Sequence, residues 1–420
     1  VLFASNNIAA SAYGISVRAR FYALLREQWV VTLALTPLTL LLFGQVSLVG
    51  FVANLLAIPW VTLVVTPLAL AGVLWAPLWS LAAMALQPLA AFLQWLAAWP
   101  LAVAFVPMAP LWAGVAAVVG GALLAMRVPW AVRALALPLL VPALWWQPVR
   151  PAPGQFELLA ADIGQGNAVL VRTATHALLY DAGPRFSRES DAGHRVLVPL
   201  LRALGERVDL FMLSHRDSDH TGGAAAVLAQ QPQAALTGSI EAEHGLQALR
   251  PVTPCVAGQR WDWDGVAFEV LHPAANGGAP GARAAHANAT SCVLRIATRG
   301  ATPAVALLAG DIEHAQELAL VAGAAPLAAD LLLVPHHGSK TSSSAPFLDA
   351  VRPRTALVQA GYRNRFGHPA PEVLGRYQAR QIRVVESARC GAATWLSAQP
   401  RQLRCERDAG QRYWQHNLPP

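Results

Sequence analysis

Leu210-Phe-Met-Leu-Ser-His-Arg-Asp-Ser-Asp-His-Thr-Gly-Gly223 is the stretch that decides the fold of the carboxyl-terminal half of this 420-residue chain. Four apolar residues, typical of a buried strand, lead directly into a loop with four possible metal ligands: His215, Asp217, Asp219 and His220. Four ionisable groups at the end of a buried strand would be costly without a metal ion to pair them. Because four ligands within six residues crowd a single ion, we expect two adjacent ions with two ligands each.

The residues around this loop, from position 156 onward, alternate between short apolar runs and glycine-rich turns. The runs predict strands at Phe156–Ala160, Ala168–Arg172, Ala177–Tyr180, Leu210–Leu213, Phe268–Leu271, Cys292–Ile296, Ala304–Leu308, Leu331–Val334 and Ala356–Val358. Helical patterns separate some of them, at Val196–Leu204, Ala224–Gln230, Glu313–Val321 and Pro371–Arg380. Strands with helices packed outside them predict a layered αββα or α/β arrangement.

The amino-terminal half is far more apolar. Hydrophobic residues make up 55% of the chain and charged residues only 13%, against roughly 25% charged in soluble proteins. No charged residue or histidine occurs from Gln28 to Met126, and a membrane-spanning helix needs roughly 20 apolar residues. We therefore predict a polytopic α-helical membrane domain over residues 1–146, with four or five passes. The candidate spans are Trp29–Phe43, Leu48–Trp75, Leu78–Trp99, Leu101–Met126 and, as the weakest, Val128–Trp146.

Polar residues within these spans have two possible roles. Side chains such as Asn54 and Gln45 either hold helices together, which is the more frequent role, or line a pathway, so both are pore candidates. A simple anchor is the other interpretation of this half, although an anchor rarely needs four passes. Arg18, Arg20 and Arg26 precede the first full span and suggest a cytoplasmic start. The chain begins without methionine, so we interpret its start as the interior of a longer protein.

Residues 147–155 form the junction between the two halves. Pro148, Pro151, Pro153 and Gly154 can extend neither a helix nor a sheet, so this segment predicts a stiff linker ahead of a second domain at 156–420. After Gly338 the chain has thirteen lysines and arginines against five acidic residues. This excess predicts a basic face that would attract phosphate-rich partners.

The four cysteines, at positions 255, 292, 390 and 405, match neither a disulfide scaffold nor a CxxC metal site. Cys390 and Cys405 could form a bridge in an oxidising compartment. Unpaired, partly buried thiols are an equally acceptable interpretation.

Six motifs occur in a fixed order in the second half. Ser-His-x-Asp-x-Asp-His-Thr-Gly-Gly resembles the metallo-β-lactamase-fold signature His-x-His-x-Asp-His. The other five are Asp162-Ile-Gly-Gln-Gly-Asn-Ala168, Tyr180-Asp-Ala-Gly183, Leu308-Ala-Gly-Asp-Ile-Glu313, Val334-Pro-His-His-Gly-Ser-Lys340 and Phe366-Gly-His-Pro369. Behind a polytopic region, this set resembles the ComEC family of DNA-uptake channels of natural competence. The resemblance covers nearly the whole chain, lacks the family's usual amino-terminal portion, and implies an αββα metallo-β-lactamase-fold domain.

The resemblance also implies a set of site residues. His215 and Asp217 would bind the first ion and Asp219 and His220 the second, Asp311 would bridge the two ions, and His368 would complete the second site. Asp181 and Asp162 would orient the ligand loop. The predicted catalytic residues are Asp219, Asp311 and His337. His336 or His337 would face the metals or the scissile phosphate, although a structural role for either remains open.

Two departures from the family signature affect the metal prediction. Asp217 replaces the usual second histidine and adds an oxygen ligand, which favours harder ions such as manganese beside zinc. The fold's mid-chain histidine has no clear counterpart, and Asn288 or Ser291 stands in that place as a possible contact to metal or substrate. His272 and His286 lie nearby without the matching context.

The resemblance implies two-metal hydrolysis, in which two divalent ions, Mn or Zn, activate water for in-line attack on phosphorus. Lys340 is the only lysine of the chain. With Ser339 and Ser342 it is predicted to hold backbone phosphates, and a solvated loop is the alternative.

The leading functional hypothesis is a multi-pass inner-membrane channel that receives double-stranded DNA and admits one strand. The soluble domain, on the outer (periplasmic) face, would process the other strand as a nuclease. A competence DNA receptor and cytoplasmic translocation proteins are the implied partners. Two alternatives remain: a membrane-tethered metallohydrolase of another phosphodiester or ester, and a non-catalytic DNA-binding gate. Single-strand passage needs only a basic groove and stacking faces.

Overall fold

The computed structural model describes residues 17–274 and 286–410. These residues form two compact units, one comprising the chain up to Pro148 with Arg202–Gly205, the other comprising Val149–Leu201 and the residues from Glu206 onward. The chain start, on which the expectation of a longer protein rests, lies outside the described residues.

The first unit is mainly helical. Its helices are α1 (Val17–Phe43), α2 (Gly50–Trp60), α3 (Thr66–Ala71), α4 (Pro77–Ala97), α5 (Leu111–Ala125), α6 (Trp130–Ala134) and α7 (Ala136–Leu144). A π-helical turn at Val61–Val65 joins α2 to α3, so Gly50–Ala71 is one continuous helix. Two short strands, β1 (Gln45–Ser47) and β2 (Val103–Phe105), pair antiparallel.

Two helices among the described residues are long and apolar enough to cross a membrane, Gly50–Ala71 and Pro77–Ala97. The length and composition of the helices therefore support two of the four or five predicted passes. The predicted span Leu101–Met126 is wrong as a single helix, since it is divided between β2 and the 15-residue α5. Pro107 and Pro110 lie between these two elements and interrupt the helical hydrogen-bond pattern.

The surface of the first unit is strongly apolar. Leu74, Trp130 and Leu63 have 92%, 76% and 73% of their surface exposed. Contiguous apolar surface of this kind is costly in water and is typical of a protein that contacts lipid. Inside the unit, α1 and α5 approach closely because Gly121 leaves room beside Pro37, as small residues do between membrane helices.

Two sheets form the frame of the second unit. The eight-stranded sheet has the order β10 (Thr253–Pro254), β9 (Ala235–Gly238), β8 (Leu210–Leu213), β5 (Ala177–Tyr180), β4 (Val169–Arg172), β3 (Glu157–Ala160), β18 (Ala393–Leu396), β19 (Leu403–Cys405). The seven-stranded sheet has the order β11 (Arg260–Trp263), β12 (Val266–His272), β13 (Val293–Thr298), β14 (Val305–Leu308), β15 (Leu331–Leu333), β16 (Thr355–Val358), β17 (Arg383–Glu386). A separate hairpin pairs β6 (Arg185–Ser187) with β7 (Ser190–Asp191).

Helices connect the strands of this unit. They are α8 (Val198–Leu204), α9 (Ser218–Thr221), α10 (Ala224–Gln230), α11 (Leu246–Leu249), α12 (His314–Ala322), α13 (Ala345–Val351), α14 (Pro371–Gln378), α15 (Ser387–Cys390) and α16 (Glu406–Ala409). Shorter helical turns lie at Gly193–Leu197, Ala287–Thr290 and Pro335–Gly338.

Both faces of the seven-stranded sheet are buried at its centre, which explains why β14 and β15 are apolar without alternation. In β13, Leu294 and Ile296 join the core between the two sheets, whereas Val293 packs in a second core with Phe347 and Tyr377 from the helices. Successive side chains of a strand point to opposite faces, so a strand covered on both sides needs a continuous apolar run. The predicted layered αββα arrangement is confirmed, and all nine predicted strands are present, two of them with the predicted bounds and seven with shifted ends.

The cysteines are paired in the structure. Cys390 at the end of α15 is bonded to Cys405 of β19, as one of the two interpretations allowed. Cys255 is bonded to Cys292, a pair that the sequence spacing did not indicate. All four cysteines therefore act as cross-links within the second unit.

Candidate metal centre

Four side chains meet at the carboxyl ends of three strands, one from the eight-stranded sheet and two adjacent ones from the seven-stranded sheet. Asp219 and His220 lie on α9, just after β8; Asp311 follows β14; and His337 follows β15. One ligand atom from each lies within 4.8 Å of the others, and His220, Asp311 and His337 are buried. The sequence placed His337 among the catalytic residues, and the structure places it within the ligand cluster itself.

The contacts within this cluster have the donor set of a divalent-cation site. His220 Nε2 lies 3.2 Å from Asp311 Oδ1, and His337 Nε2 lies 3.2 Å from Asp219 Oδ2 and 3.4 Å from Asp311 Oδ2. Both Nε2 atoms and Asp311 Oδ1 are buried without a hydrogen bond among the described residues. Buried polar atoms are normally satisfied, so three such atoms facing one point fit a bound cation.

The backbone turn that presents His337 is strained. His336 and His337 have φ of 49° and 53°, in the left-handed region. This conformation costs about 1–3 kcal/mol for each residue other than glycine. His337 Nδ1 donates to the carbonyl oxygen of Gln359 at 2.9 Å, which fixes the ring with Nε2 toward the carboxylates. Strain of this kind at a set of candidate ligands indicates a functional constraint.

The predicted ligands His215, Asp217 and His368 lie around the cluster. His215 Nε2 is buried without a hydrogen bond and lies 3.6 Å from Asp217 Oδ2, and its ring centroid lies 4.2 Å from that of His220. The ring of His368 lies 6.3 Å from that of His337, and its buried Nδ1 also has no partner among the described residues. Three of the six predicted ligands, Asp219, His220 and Asp311, thus lie in the cluster itself, and the other three lie beside it.

The electrostatics of the cluster separate its histidines into two groups. Burial alone would lower the pKa of His337, but the charge of Asp311 and the close contact with the Asp219 carboxylate outweigh it and raise this pKa to about 9. Asp311 and Asp181 likewise raise the pKa of His220 well above its usual value against the effect of burial. In contrast, burial and the charges of His337 and His336 lower the pKa of His368 to about 4.

The aspartates of the cluster stay ionised. Burial would raise the pKa of Asp311, but the charges of His220 and His337 hold it well below its usual range. The close contact with His337 and the charge of His220 likewise lower the pKa of Asp219 despite burial. In the metal-free chain, two protonated histidines thus balance two carboxylates.

Asp181 lies beneath the ligand loop, at the end of β5. Its carboxylate accepts hydrogen bonds from Ser214 N at 2.6 Å and Ser214 Oγ at 2.9 Å, and lies 2.8 Å from His220 Nδ1. Because Nδ1 of His220 is held in this way, Nε2 points to Asp311. Contacts of this type fix the ring orientation and raise the basicity of a metal-binding histidine.

A glycine turn supports the loop from the other side. Gly166 has φ of 125°, and a Cβ there would lie 2.1 Å from the carbonyl oxygen of Asp219. Only glycine allows this approach. Asn167 N donates to the same carbonyl at 3.3 Å.

Three predicted site residues are placed differently from the expectation. Asp162 forms an ion pair with Arg407 at 2.9 Å rather than with the ligand loop. Ser342 is buried and donates to the carbonyl oxygens of Pro335 and Ser339, so its hydroxyl is committed to the backbone and does not face a substrate. Ser291 Oγ is buried, accepts from Asp311 N at 3.1 Å and lies 3.4 Å from His215 Nδ1, so it supports ligands instead of touching substrate.

The remaining substrate-binding candidates lie at the edge of the site. Asn288 Nδ2 donates to Glu313 at 3.3 Å and lies 3.5 Å from His336 Nε2. Ser339 Oγ lies 3.1 Å from Thr341 Oγ1. Lys340 is 68% exposed and lies 3.3 Å from Glu372, so its side chain is accessible but partly neutralised.

Comparison with known proteins gives two matching family models. The model described as "Competence protein" matches residues 1–135, and "Metallo-beta-lactamase superfamily" matches residues 161–362. The second match shows that the αββα unit has the metallo-β-lactamase fold, which implies divalent metal ions.

Among curated proteins, the chain is 36% identical to "Competence protein ComA" of Neisseria gonorrhoeae over 87% of this chain and 50% of that protein. It is 31% identical to "Uncharacterized protein YcaI" of Escherichia coli over 94% of this chain and 51% of that protein. It is 30% identical to "ComE operon protein 3" of Bacillus subtilis over 59% of this chain and 34% of that protein. The chain thus spans about half the length of the first two of these relatives.

Two solved structures with a similar fold are distant in sequence. The metallo-β-lactamase-fold protein YhfI of Bacillus subtilis matches with 13% identity and a TM-score of 0.37, over 58% of this chain and 99% of that protein. Igni18, a metallo hydrolase of Ignicoccus hospitalis, matches with 13% identity and a TM-score of 0.38, over 57% of this chain and 98% of that protein.

Proposed function

Because the chain belongs to the ComEC/ComA-like family of competence proteins with a metallo-β-lactamase-fold domain, we propose that it takes up transforming DNA through the inner membrane. In this proposal residues 1–146 belong to a multi-pass channel for one strand, residues 147–155 are a linker, and residues 156–420 hydrolyse the other strand. Double-stranded DNA is the delivered partner, and a DNA receptor and a cytoplasmic translocation protein are the further partners.

The observation that carries the nuclease proposal is the buried cluster of Asp219, His220, Asp311 and His337, whose ligand atoms lie within 4.8 Å of one another. These residues, with His215, Asp217 and His368 beside them, would hold two divalent ions, manganese or zinc. Such ions supply Lewis acidity that activates water and neutralises charge on a phosphate. A site that had lost catalysis would not be expected to keep three orphaned buried donor and acceptor atoms.

The chain's own groups would prepare the site for this chemistry. Asp181 and Gln359 hold the Nδ1 atoms of His220 and His337, so both Nε2 atoms face the carboxylates. The surrounding apolar core keeps bulk water away and strengthens each charge interaction. Asn288 and Lys340 lie at the edge of the cluster, where a backbone phosphate would enter.

The disulfides support a location of the metal domain on the outer face of the membrane. Cys390–Cys405 and Cys255–Cys292 are both bonded. Disulfides persist in oxidising compartments and are rare in the cytoplasm. The periplasmic face is therefore the proposed location.

The direct test is a cleavage assay with the full chain in detergent micelles. Labelled single- and double-stranded DNA would be incubated with manganese, zinc or magnesium, beside an Asp219→Ala, His220→Ala control. We expect metal-dependent cutting that the control lacks. A folded, metal-loaded chain that cuts neither substrate with any ion would overturn the nuclease and favour a DNA-binding gate.

A polar cavity supports the channel role of the first unit. It has a volume of about 230 Å³ and contains both pore candidates, Gln45 and Asn54. Its other polar lining residues are Gln28, Thr32, Thr36, Thr39 and Ser47. Polar groups gathered around a cavity in an otherwise apolar unit favour a path for a polar molecule over a simple anchor.

We expect the substitutions Gln45→Leu and Asn54→Leu together to lower transformation frequency about tenfold, an effect worth about 1.4 kcal/mol. The reason is that apolar side chains would remove hydrogen-bonding groups from the cavity. The matched control is Gln87→Leu with Gln94→Leu, which removes two amides from α4 outside the lining. An equal loss of transformation frequency in both pairs of variants, or no loss in either pair, would contradict a pathway at this cavity. DNA cleavage measured with the same chains shows whether an effect lies in uptake or in hydrolysis.

A further inference from the structure

Large exposed aromatic rings are rare in the described part of the second unit, where Phe186, Tyr362 and Phe366 are the ones with more than a third of their surface exposed. Two of them lie in one loop between β16 and α14, Gly361–His368, which we call the stacking loop. Phe366 is 53% exposed and Tyr362 is 49% exposed. This loop ends at the candidate ligand His368.

Each of these two rings has an arginine beside it. The guanidinium carbon of Arg365 lies 4.8 Å from the centroid of Phe366, and that of Arg363 lies 5.2 Å from the centroid of Tyr362. Both arginines are exposed, and neither has an ion pair with a described carboxylate. The loop therefore presents two aromatic rings with two unpaired positive charges between them to solvent.

The rings of the loop lead to the metal centre. Phe366 stacks on His368 with centroids 5.7 Å apart and an interplanar angle of 24°. His368 in turn lies 6.3 Å from His337 with an angle of 22°. Phe366 thus lies directly against one candidate metal ligand, and His368 is the ring between it and His337.

The loop is held in one conformation before any ligand arrives. Asn364 Oδ1 accepts from Phe366 N at 3.1 Å and from His368 N at 3.0 Å, and Asn364 Nδ2 donates to the carbonyl oxygens of Gly361 and His368. Gly361 N donates to Gln165 Oε1 at 3.2 Å, which joins the loop to the glycine turn beneath Asp219. Preorganisation reduces the entropy lost when a ligand binds.

We propose that the stacking loop binds an unpaired stretch of nucleic acid: bases stack on Phe366 and Tyr362, and Arg363 and Arg365 contact the flanking phosphates. The next phosphodiester of the strand then lies at the metal centre. The inference rests on the proposed nuclease function and deepens it by naming the form of the substrate. Bases inside a duplex are stacked on one another, so their faces are not available to Phe366, whereas every unpaired base offers one.

The test uses the full, manganese-loaded chain in detergent micelles. Its two substrates are fluorescent oligo-dT and a fluorescent duplex of the same length. Phe366→Leu keeps an apolar side chain but removes the aromatic face. We expect it to raise KM for oligo-dT roughly tenfold and to weaken its binding by a similar factor, with a much smaller effect on the duplex. Phe366→Trp should restore both values. The matched control is Leu318→Ala, which removes an exposed apolar side chain from α12.

The outcomes separate the two proposals. Oligo-dT that binds to the chain but is not cut with any ion would overturn the nuclease and leave the stacking loop supported, provided that Phe366→Leu weakens the binding. If Phe366→Leu changed KM equally for oligo-dT and for the duplex, the proposed role of the loop would be overturned. A loss of bound manganese in Phe366→Leu would also overturn it, because the ring would then only support His368. A variant that loses affinity for anionic lipid vesicles while its KM for oligo-dT is unchanged would assign the loop to a membrane contact instead.

Discussion

The Asp311→Asn chain is expected to lose bound metal and to cut DNA about 10³-fold more slowly, or not at all. Asp311 is the carboxylate that contacts both buried histidines, with Oδ1 3.2 Å from His220 and Oδ2 3.4 Å from His337. An amide keeps the shape of the side chain but removes its charge and one acceptor oxygen. Asp219 Oδ2 is the other carboxylate oxygen near both rings, 3.2 Å from His337 Nε2 and 3.9 Å from His220 Nε2, so the substitution leaves one carboxylate in the cluster where the site needs two.

The same substitution should leave the chain folded. Removing one partner of a buried ion pair is costly when the remaining charge has to stay. Here the charge of Asp311 raises the pKa of His220 and His337, so both pKa values fall when this charge is removed. The histidines can then be buried as neutral rings. Metal content, thermal unfolding and the rate of DNA cleavage together measure these effects.

Asp330→Asn is the matched control for this experiment. Asp330 accepts a hydrogen bond from Val305 N at 3.0 Å and precedes β15, whereas Asp311 follows β14. Since β14 and β15 are parallel, the two aspartates lie at opposite ends of the same strand pair. The control should keep metal and activity. An Asp311→Asn chain that retains its metal and its rate would contradict the proposed centre.

The ligand loop shows what could be predicted from the sequence. An apolar strand followed by His215, Asp217, Asp219 and His220 in one short loop restricts all four side chains to one edge of a sheet. Local spacing also predicted the nine strands, because strands covered on both faces are continuous apolar runs. Both features are determined by residues that are adjacent in the sequence.

The features that were missed depend on distant parts of the chain. His337 belongs to the ligand cluster only because two consecutive residues adopt the left-handed conformation and Gln359 fixes the ring. The pattern His-His-Gly does not reveal which histidine turns inward. Ser342 and Asp162 were assigned to the site from their position in motifs, but backbone carbonyls and Arg407 hold them elsewhere. The pair of histidines directly after a buried strand was the one available signal for His337.

Metal binding is expected to strengthen about a hundredfold for each unit of pH near pH 7. The pKa of His337 is about 9 and that of His220 is well above its usual value, so both are protonated in the metal-free chain at pH 7. A metal ion binds only the neutral ring, and each proton released contributes about tenfold per pH unit. His368, with a pKa of about 4, is already neutral, and the aspartates are already ionised, so they release nothing.

Calorimetric titration with manganese in two buffers of different ionisation enthalpy would measure the proton count directly. About two protons should leave at pH 7, and His337→Ala should reduce this number by about one, whereas His368→Ala should leave it unchanged. Release of no proton would contradict the charge state of the cluster. The metal-free chain gives an independent check, because a pKa raised in the folded state stabilises the fold below the unfolded value of about 6.5. Its stability should therefore fall as the pH rises from about 6.5 to about 9, whereas the stability of the metal-loaded chain should change little over the same range, because its histidines and those of the unfolded chain are then both neutral.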